Sequence, residues 1–528
     1  MAGHRKRNWL IGIAAAVVIA AVSMIIAGRV LAARFEPYIK DQAIQYLQKR
    51  FNSDVEITAL HVYLPHISPL KLALQRGRGA LALVEGEGIS LRRKGVEDQR
   101  PVFVMKNFAF EVDLGGLFDK QKTVRSVTID GMEINIPPKG QRPKFDSSTE
   151  AHEPNTGVII EEVMITDTTL RIIPQDKKKD PLEFDLHRVH LQSAGIDVAM
   201  KYEATLTNAK PPGEIHSTGN FGPWAATEPG DTPLSGAYEF NDADLGVFDG
   251  IAGILHSTGQ FQGTLDSINV HGQATVPKFR LKSAGNPVSL STQFDVLVDG
   301  TNGNTILKPV VGMINKTSFT TSGGVLKRET DRYRGISLDV VIPSGNLHDL
   351  LTLSMKGMPF MEGKIYLKTK IDIPPLSGKV KQKLQLDGIF RLTQARFLRS
   401  KIQSQIDTFS RRGQGKPTDE EIVDVPSGLA GSFKLNNEVI TFRSLSFAVP
   451  GAGVDLTGDY NIRADELDFH GTLRLQAKVS ETMSGWKRWV LKPVDPFFAK
   501  QGAGTLIHIQ VTGSSDSPKF GRDKGNGT

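Results

Sequence analysis

The 528-residue sequence contains no cysteine. That absence excludes disulfides, thiolate nucleophiles and Cys-ligated metals, and leaves burial of apolar surface to hold the fold. No Gly-x-Ser-x-Gly elbow occurs. The glycine pairs Gly115-Gly116 and Gly323-Gly324 and the run Gly451-Ala452-Gly453 lack the Lys-Ser/Thr that a phosphate loop needs, so they read as turns. Twelve histidines are scattered along the chain, and the closest pairs, His187 with His190 and His61 with His66, miss the i, i+4 helical spacing of a zincin. On a regular strand, positions three apart point to opposite faces, so His187 and His190 are not expected to share a metal. No catalytic residue, metal or cofactor is expected, and the chain reads as a non-enzyme.

Net charge is also scarce outside the N-terminus. The chain carries 64 basic and 57 acidic residues. Residues 1–34 hold five of the bases (Arg5, Lys6, Arg7, Arg29, Arg34) and no acid, which leaves 59 against 57 for the remainder. The pI near 9.2 therefore comes largely from that flank. With no dense basic stripe carrying interleaved aromatics, nucleic acid is not an expected partner.

The longest uncharged apolar run is Trp9 to Gly28, WLIGIAAAVVIAAVSMIIAG. As a helix rising ~1.5 Å per residue it matches the roughly 30 Å hydrocarbon core, with Trp9, Leu10, Ile11, Val18, Ile19, Ile25 and Ile26 among its membrane-facing residues. The preceding His4, Arg5, Lys6 and Arg7 place residues 1–8 in the cytoplasm and the chain after the 9–32 anchor on the far side. A cleaved signal peptide ending at Leu31-Ala32-Ala33 is the alternative, although signal h-regions run only ~7–15 residues.

Beyond the anchor, Phe35, Tyr38, Ile39, Ala43, Tyr46 and Leu47 recur at helical spacing. This amphipathic helix is expected to dock on the domain that follows, with the membrane surface as the other possible resting place. From Val55 the period becomes two: VEITALHV (55–62), FAFEVDL (108–114), VTIDGMEINI (127–136), LEFDLHRVHL (182–191), YEATL (202–206), ISLDVVI (336–342), IYLKTKIDI (365–373) and LDFHGTLRLQAKV (467–479). These are strands with one apolar and one polar face. The polar segment 143–156 reads as a loop. The organisation expected is a β-rich repeat region over 33–394 and a C-terminal region over 395–528. The latter includes a helix over 395–412 with the stripe Leu398, Ile402, Ile406 and Phe409, closed by Gly413.

Repeats reinforce the strands. IHSTGNF (215–221) returns as LHSTGQF (255–261), and a Gly-x-aromatic element recurs at Gly236–Tyr238, Gly388–Phe390, Gly431–Phe433 and Gly458–Tyr460. An aromatic two positions after a strand glycine lies on the same face and is expected to cover the space left by the missing side chain. So many amphipathic strands with so few helices must cover their own apolar face. They can do so as closed sandwiches or barrels, or as a long, curled, largely antiparallel sheet forming a groove. In a groove, apolar strand positions such as Ile365 and Leu473 would line the interior. Two of the chain's four tryptophans sit beside bases in Trp486, Lys487, Arg488 and Trp489, followed by Phe497 and Phe498. This cluster suits a lipid headgroup boundary, or else caps the core.

Several of these pieces together resemble the AsmA-like proteins of the bacterial inner membrane. They are the basic flank and anchor; ARFEPYIKDQAIQYLQKRFNSDVEI (33–57); VTIDGMEINIP (127–137); PPGEIHSTGNFGPW (211–224); ARFLRSKIQSQIDTFSRRGQGKP (395–417); and DPFFAKQGAGTLIHIQVTGSSDSPKFGRD (495–523). The resemblance implies a single-pass inner-membrane protein whose bulk is a periplasmic, groove-shaped β-sheet related to bridge-like lipid-transfer proteins. Its expected partners are the inner membrane, phospholipid and an outer-membrane or periplasmic protein, in support of outer-membrane biogenesis. A scaffold that assists outer-membrane protein assembly without carrying lipid is the alternative.

Overall fold

Alternation of apolar and polar residues forces these segments into strands, because only the two-residue period of extended chain puts every apolar side chain on one face. A computed structural model describes residues 53–63, 81–93, 100–113, 122–137, 158–173, 181–194, 199–223, 228–477 and 505–523, apart from isolated positions, and a few positions between 37 and 48. The anchor residues Trp9, Leu10, Ile11, Val18, Ile19, Ile25 and Ile26, the loop 143–156 and the cluster Trp486, Lys487, Arg488, Trp489, Phe497 and Phe498 lie outside the described residues. Among the described residues, no helix is long and apolar enough to cross a membrane.

The fold is mainly β, with 24 strands in one mixed sheet. The sheet is open: β1 pairs only with the strand that follows it and β24 only with the strand before it. The chain divides into two units between Tyr238 and Glu239.

In the first unit the strands are β1 (Ser53–Tyr63), β2 (Leu81–Arg93), β3 (Phe103–Asp113), β4 (Lys122–Ile136), β5 (Val158–Ile172), β6 (Leu182–Ala194), β7 (Met200–Thr207) and β8 (Glu214–Phe221). Each pairs antiparallel with the next, except that β4 and β5 run parallel. A parallel step needs a crossover of about a dozen residues or more, and 137–157 supply it. Pro37, Lys40, Asp41, Ile44, Gln45, Leu47 and Gln48 are helical. Ile44 and Leu47 pack on Val55, Ile57, Ile89 and Leu91, and Lys40 Nζ donates to Thr58 O at 3.1 Å. The expected docking of the N-terminal amphipathic helix on the sheet holds at these positions.

A row of dislocations crosses this unit. The ladder skips one residue on each strand at Thr58, Gly88, Lys106, Gly131 and Asp167, and His187 ends the row as a bulge against β7. Gly88, Gly131 and Asp167 take positive φ there, at 65°, 69° and 50°. Each skip inverts the alternation, so apolar residues that would swing to the polar side stay on one face. Val55 and Ile57 are thus followed by Leu60 and Val62, and Phe103 and Met105 by Phe108 and Phe110. In β6, Phe184 and Leu186 are followed by Val189 and Leu191. One expectation is corrected as a result. With the skip at His187, both His187 and His190 hydrogen-bond on the polar face, His187 Nε2 to Thr207 Oγ1 and His190 Nε2 to Glu162 Oε1, each at 2.8 Å. They have separate partners, and among the described residues no three His, Cys, Asp or Glu form a metal-binding group.

Strand β9 (Pro233–Asp244) spans the division. The second unit continues with β10 (Ile251–Ala252), β11 (Ile254–Thr264), β12 (Ser267–Leu281), β13 (Val288–Val298), β14 (Thr305–Ile314), β15 (Thr317–Leu326) and β16 (Gly335–Asn346). Helix α1 (Leu347–Ser354), β17 (Met361–Ile373), the turn-length α2 (Val380–Lys383), β18 (Gln385–Phe397) and α3 (Ser400–Gly413) follow. The unit closes with β19 (Ser427–Asn436), β20 (Val439–Val449), β21 (Ala452–Asn461), β22 (Glu466–Leu475), β23 (Thr505–Gly513) and β24 (Pro518–Arg522). From β11 to β24 each strand pairs antiparallel with its successor.

Two details of α3 differ from the sequence reading. The helix begins at Ser400 rather than 395, because Ala395 and Phe397 are still strand, paired with Ser427 and Met361. Its most buried positions are polar, Gln403, Asp407 and Ser410, whereas Ile406 and Phe409 are half-buried on Val425, Val449 and Ala452. The Asp407 carboxylate accepts from Val425 N at 2.9 Å, Asp424 N at 3.2 Å and Gln403 Nε2 at 2.9 Å, so the buried charge is met by several donors.

Glycines in the sheet are filled from across the ladder. Gly312 faces Phe319 directly, and a Cβ on Gly312 would stand 2.2 Å from Phe319 Cζ. Gly312→Ala should therefore destabilise the second unit by about 2 kcal/mol through overpacking. The double variant with Phe319→Ala should be more stable than the two single losses added together, read as urea midpoints in a double-mutant cycle.

Candidate functional site

The feature with the clearest chemical character is the apolar face of β17–β23. Its inward-alternating positions include Leu367, Phe390, Phe433, Phe442, Leu456, Phe469 and Ile509, and no position on that face in these strands bears a charge. Every strand here donates and accepts through its backbone to its neighbours, so the face has no polar backbone demand left.

Its surface is paved by reciprocal glycine–aromatic pairs. The segments Gly388-Ile389-Phe390 and Gly431-Ser432-Phe433 lie antiparallel in register, so Phe433 opposes Gly388 and Phe390 opposes Gly431. Phe442 likewise opposes Gly458, which in turn opposes Phe469. At Gly431 the covering ring comes from the neighbouring strand, a Cβ there standing 3.1 Å from Phe390 Cε1, not from two positions on in the same strand as the sequence suggested; Gly388 and Gly458 are approached most closely by Lys368 O and Asp468 O. Antiparallel pairing brings directly opposed side chains to roughly 4.5–5.5 Å, nearer than same-strand neighbours two apart. Ring centroids stand 6.1 Å apart for Phe390–Phe433, 6.5 Å for Phe390–Phe442 and 5.7 Å for Phe442–Phe469, inside the range of favourable aromatic contact.

Helices cover one end of this face. Leu347, Leu350 and Leu351 of α1 pack with Met361, Ile365, Leu392 and Ala395, while Ile406 and Phe409 of α3 pack near Val449 and Ala452. Ile365, expected to line an accessible interior, lies beneath α1 at 8% exposure. Leu473, Phe390, Phe433, Phe442 and Leu456 are half-buried among the described residues. In the first unit the apolar face is built alike, from Phe103, Met105, Phe108, Ile129, Met132 and Val163.

The two HSTG segments occupy equivalent strand positions. Ser217 Oγ donates to Ala237 O and Ser257 Oγ to Gln273 O, each at 3.0 Å, so the hydroxyl in each copy bonds the backbone of a neighbouring strand. The role is structural in both. Burial pushes the Tyr202 phenol up, against a hydrogen bond with Ser217.

The opposite face is polar and charged. Glu133 and Glu183 bracket Arg171 across β4, β5 and β6, at 2.9 and 3.2 Å. At the last strands, Ser446 and then the Arg474 guanidinium hold Asp455 below the usual carboxylate range. His470 Nδ1 meets Asp523 Oδ2 at 3.1 Å and its Nε2 meets Asp468 Oδ1 at 3.2 Å. Asp523, and to a lesser degree Asp468, raise the imidazole above its ordinary value. This arrangement ties the residue after edge strand β24 back to β22.

The sign of the pH effect follows from that direction. A raised folded-state value means the contribution is fully present below the ordinary histidine value near 6.5 and fades as pH rises through the raised one. Amide exchange along β24 should therefore quicken across that window, and His470→Gln should abolish the pH dependence while leaving the basal exchange of β19–β21 unchanged.

The sequence did not signal the inter-strand pairing of glycine and aromatic, although two Gly-x-Phe segments in adjacent strands were the available clue. Compared with models of protein families, with curated proteins and with solved structures, the chain matches none.

Proposed function

We propose that this is an AsmA-like, single-pass inner-membrane protein whose periplasmic sheet binds or transfers phospholipids along its apolar face and supports outer-membrane biogenesis. The observation that carries the reading is the charge-free face of β17–β23, only half-buried along Phe390, Phe442 and Leu456. Curled into a groove, such a face would desolvate acyl chains at ~0.8 kcal/mol per methylene, with little discrimination between chains. The N-terminal apolar run would hold the protein at the membrane that supplies the lipid. A scaffold for outer-membrane protein assembly is the second reading. It is favoured by edge strand β24, which is paired on one side only and exposed at all five residues.

Photo-crosslinking residues separate the two. Placed at Phe442 or Leu456 they should capture phospholipid in cells, whereas Thr441 and Thr457, exposed on the polar face, should not. Leu456→Asp should lower the lipid captured at Phe442 several-fold. Capture of proteins but never of lipid would leave the scaffold reading standing and sink the first. Replacing residues 1–34 by a cleaved signal peptide should yield a folded protein that fails to complement loss of the native one; full complementation would reduce the anchor to a tether.

A further inference from the structure

We infer that the end of the second unit built from the α1–β17 loop and the β18–α3 junction is a docking tip for an anionic lipid surface. Leu398 N donates to Phe360 O at 2.9 Å, which fixes residues 398–401 beside the loop 355–360. The rings of Phe360 and Phe397 stack at 6.5 Å beneath the junction. The loop is held rather than dangling, since Asn286 Nδ2 donates to Met355 O at 3.2 Å and Gly357 O at 2.7 Å. Yet this braced structure presents Met358 at 88% and Leu398 at 50% exposure. One exposed apolar side chain is ordinary; two held together on a braced tip are what an interfacial anchor requires.

The exposed charges around them are predominantly positive, with Glu362 on β17 and Asp424 beside the middle of α3 as the acids. Lys356, Arg396, Arg399 and Lys401 are all exposed, and none has an ion-pair partner among the described residues. Between Asp387 and Asp407 the sequence has no acid, and Asp407 is buried under its backbone donors. Glu362, in register with Arg396, is the one acid on β17 near this end. The acidic run Asp419–Glu421 sits at the other end of α3, where Lys416 Nζ lies 3.8 Å from Asp419 and Arg411 donates to Asp419 O. At ~1.5 Å per residue that is roughly 20 Å from Arg399.

The start of α3 adds to the same field. Arg399 occupies its N-cap with no side-chain hydrogen bond to the helix, and acids are absent from the first turn. Cations at an uncapped N-terminus oppose the helix dipole and leave the protein with an unneutralised positive end. Phosphate-bearing headgroups supply the missing charge, while Met358 and Leu398 reach the acyl boundary below them. A lipid surface satisfies both halves of the patch at once. The inference adds a contact surface to the lipid-handling reading and is tested apart from it.

The absence of cysteine makes the test direct. Full-length protein held in phosphatidylcholine nanodiscs, carrying Met358→Cys or Leu398→Cys labelled with an environment-sensitive fluorophore, is titrated with phosphatidylcholine–phosphatidylglycerol vesicles. Both labels should shift to the blue and be quenched by brominated acyl chains; a label at exposed Ser444 on the polar face should do neither. The combined Lys356→Gln, Arg399→Gln and Lys401→Gln variant should bind such vesicles on the order of 100-fold more weakly, about fivefold per cation. An unchanged urea midpoint for that variant shows that folding is intact. Labels that stay in water, equal binding to neutral vesicles, or unchanged binding by the triple variant would each overturn the tip. Because lipid capture at Phe442 reads the sheet face alone, loss of one activity with the other retained tells which idea failed.

Discussion

Everything in each unit follows from strands that pair with their immediate successors in sequence. Such a ladder satisfies backbone donors and acceptors locally, so the only remaining demand is where the side chains go. Because the side-chain period is two, one slipped residue would turn a strand's apolar set to the wrong side. The row from Thr58 through Gly88, Lys106, Gly131 and Asp167 to His187 shows how the chain meets that constraint: neighbouring strands slip together, at one level. The apolar stripe changes register in sequence while remaining continuous in space.

Strand existence was legible because alternation is a local signal: six of the eight quoted segments lie wholly within a strand, and 108–114 and 467–479 run past the ends of β3 at Asp113 and β22 at Leu475. The dislocations were legible too, as apolar pairs spaced by two separated by a gap of three: Val55, Ile57, Leu60, Val62 in β1 and Phe184, Leu186, Val189, Leu191 in β6. Strict alternation passes over that gap, which is why it places His187 and His190 on opposite faces. The parallel step between β4 and β5 left no such trace, since its direction depends on where the 137–157 crossover returns, not on any residue in either strand.

Helix α3 shows a different limit. Ile402, Ile406 and Phe409 mark an apolar stripe, and a helix that rests on a sheet is expected to bury that stripe most deeply. Here the end of β18, residues 424–425 and Pro450 present backbone groups to the helix, and Gln403, Asp407 and Ser410 answer them. The buried side of a helix is set by what it packs against, and a surface of unpaired amides selects polar residues. Nothing in residues 400–413 taken alone says that such a surface is waiting.

The glycine–aromatic pairs connect fold to use. A strand face made of branched aliphatics is ridged, and ridges interlock with a second layer of matching ridges. Setting glycines opposite the rings lowers that relief, so the Phe433–Phe390–Phe442–Phe469 run presents broad ring area in place of knobs. A low, uncharged surface offers little shape to a folded partner but loses little contact with a flexible chain that conforms to it. Dispersion falls off steeply with gap width, so an adaptable ligand gains most where relief is least. On this argument the recurrence of Gly-x-Phe in adjacent strands reflects what the face touches as well as how the sheet bends. It also places the selective chemistry elsewhere, at charged positions such as those of the α3 junction, because a surface of rings and methylenes cannot distinguish one headgroup from another.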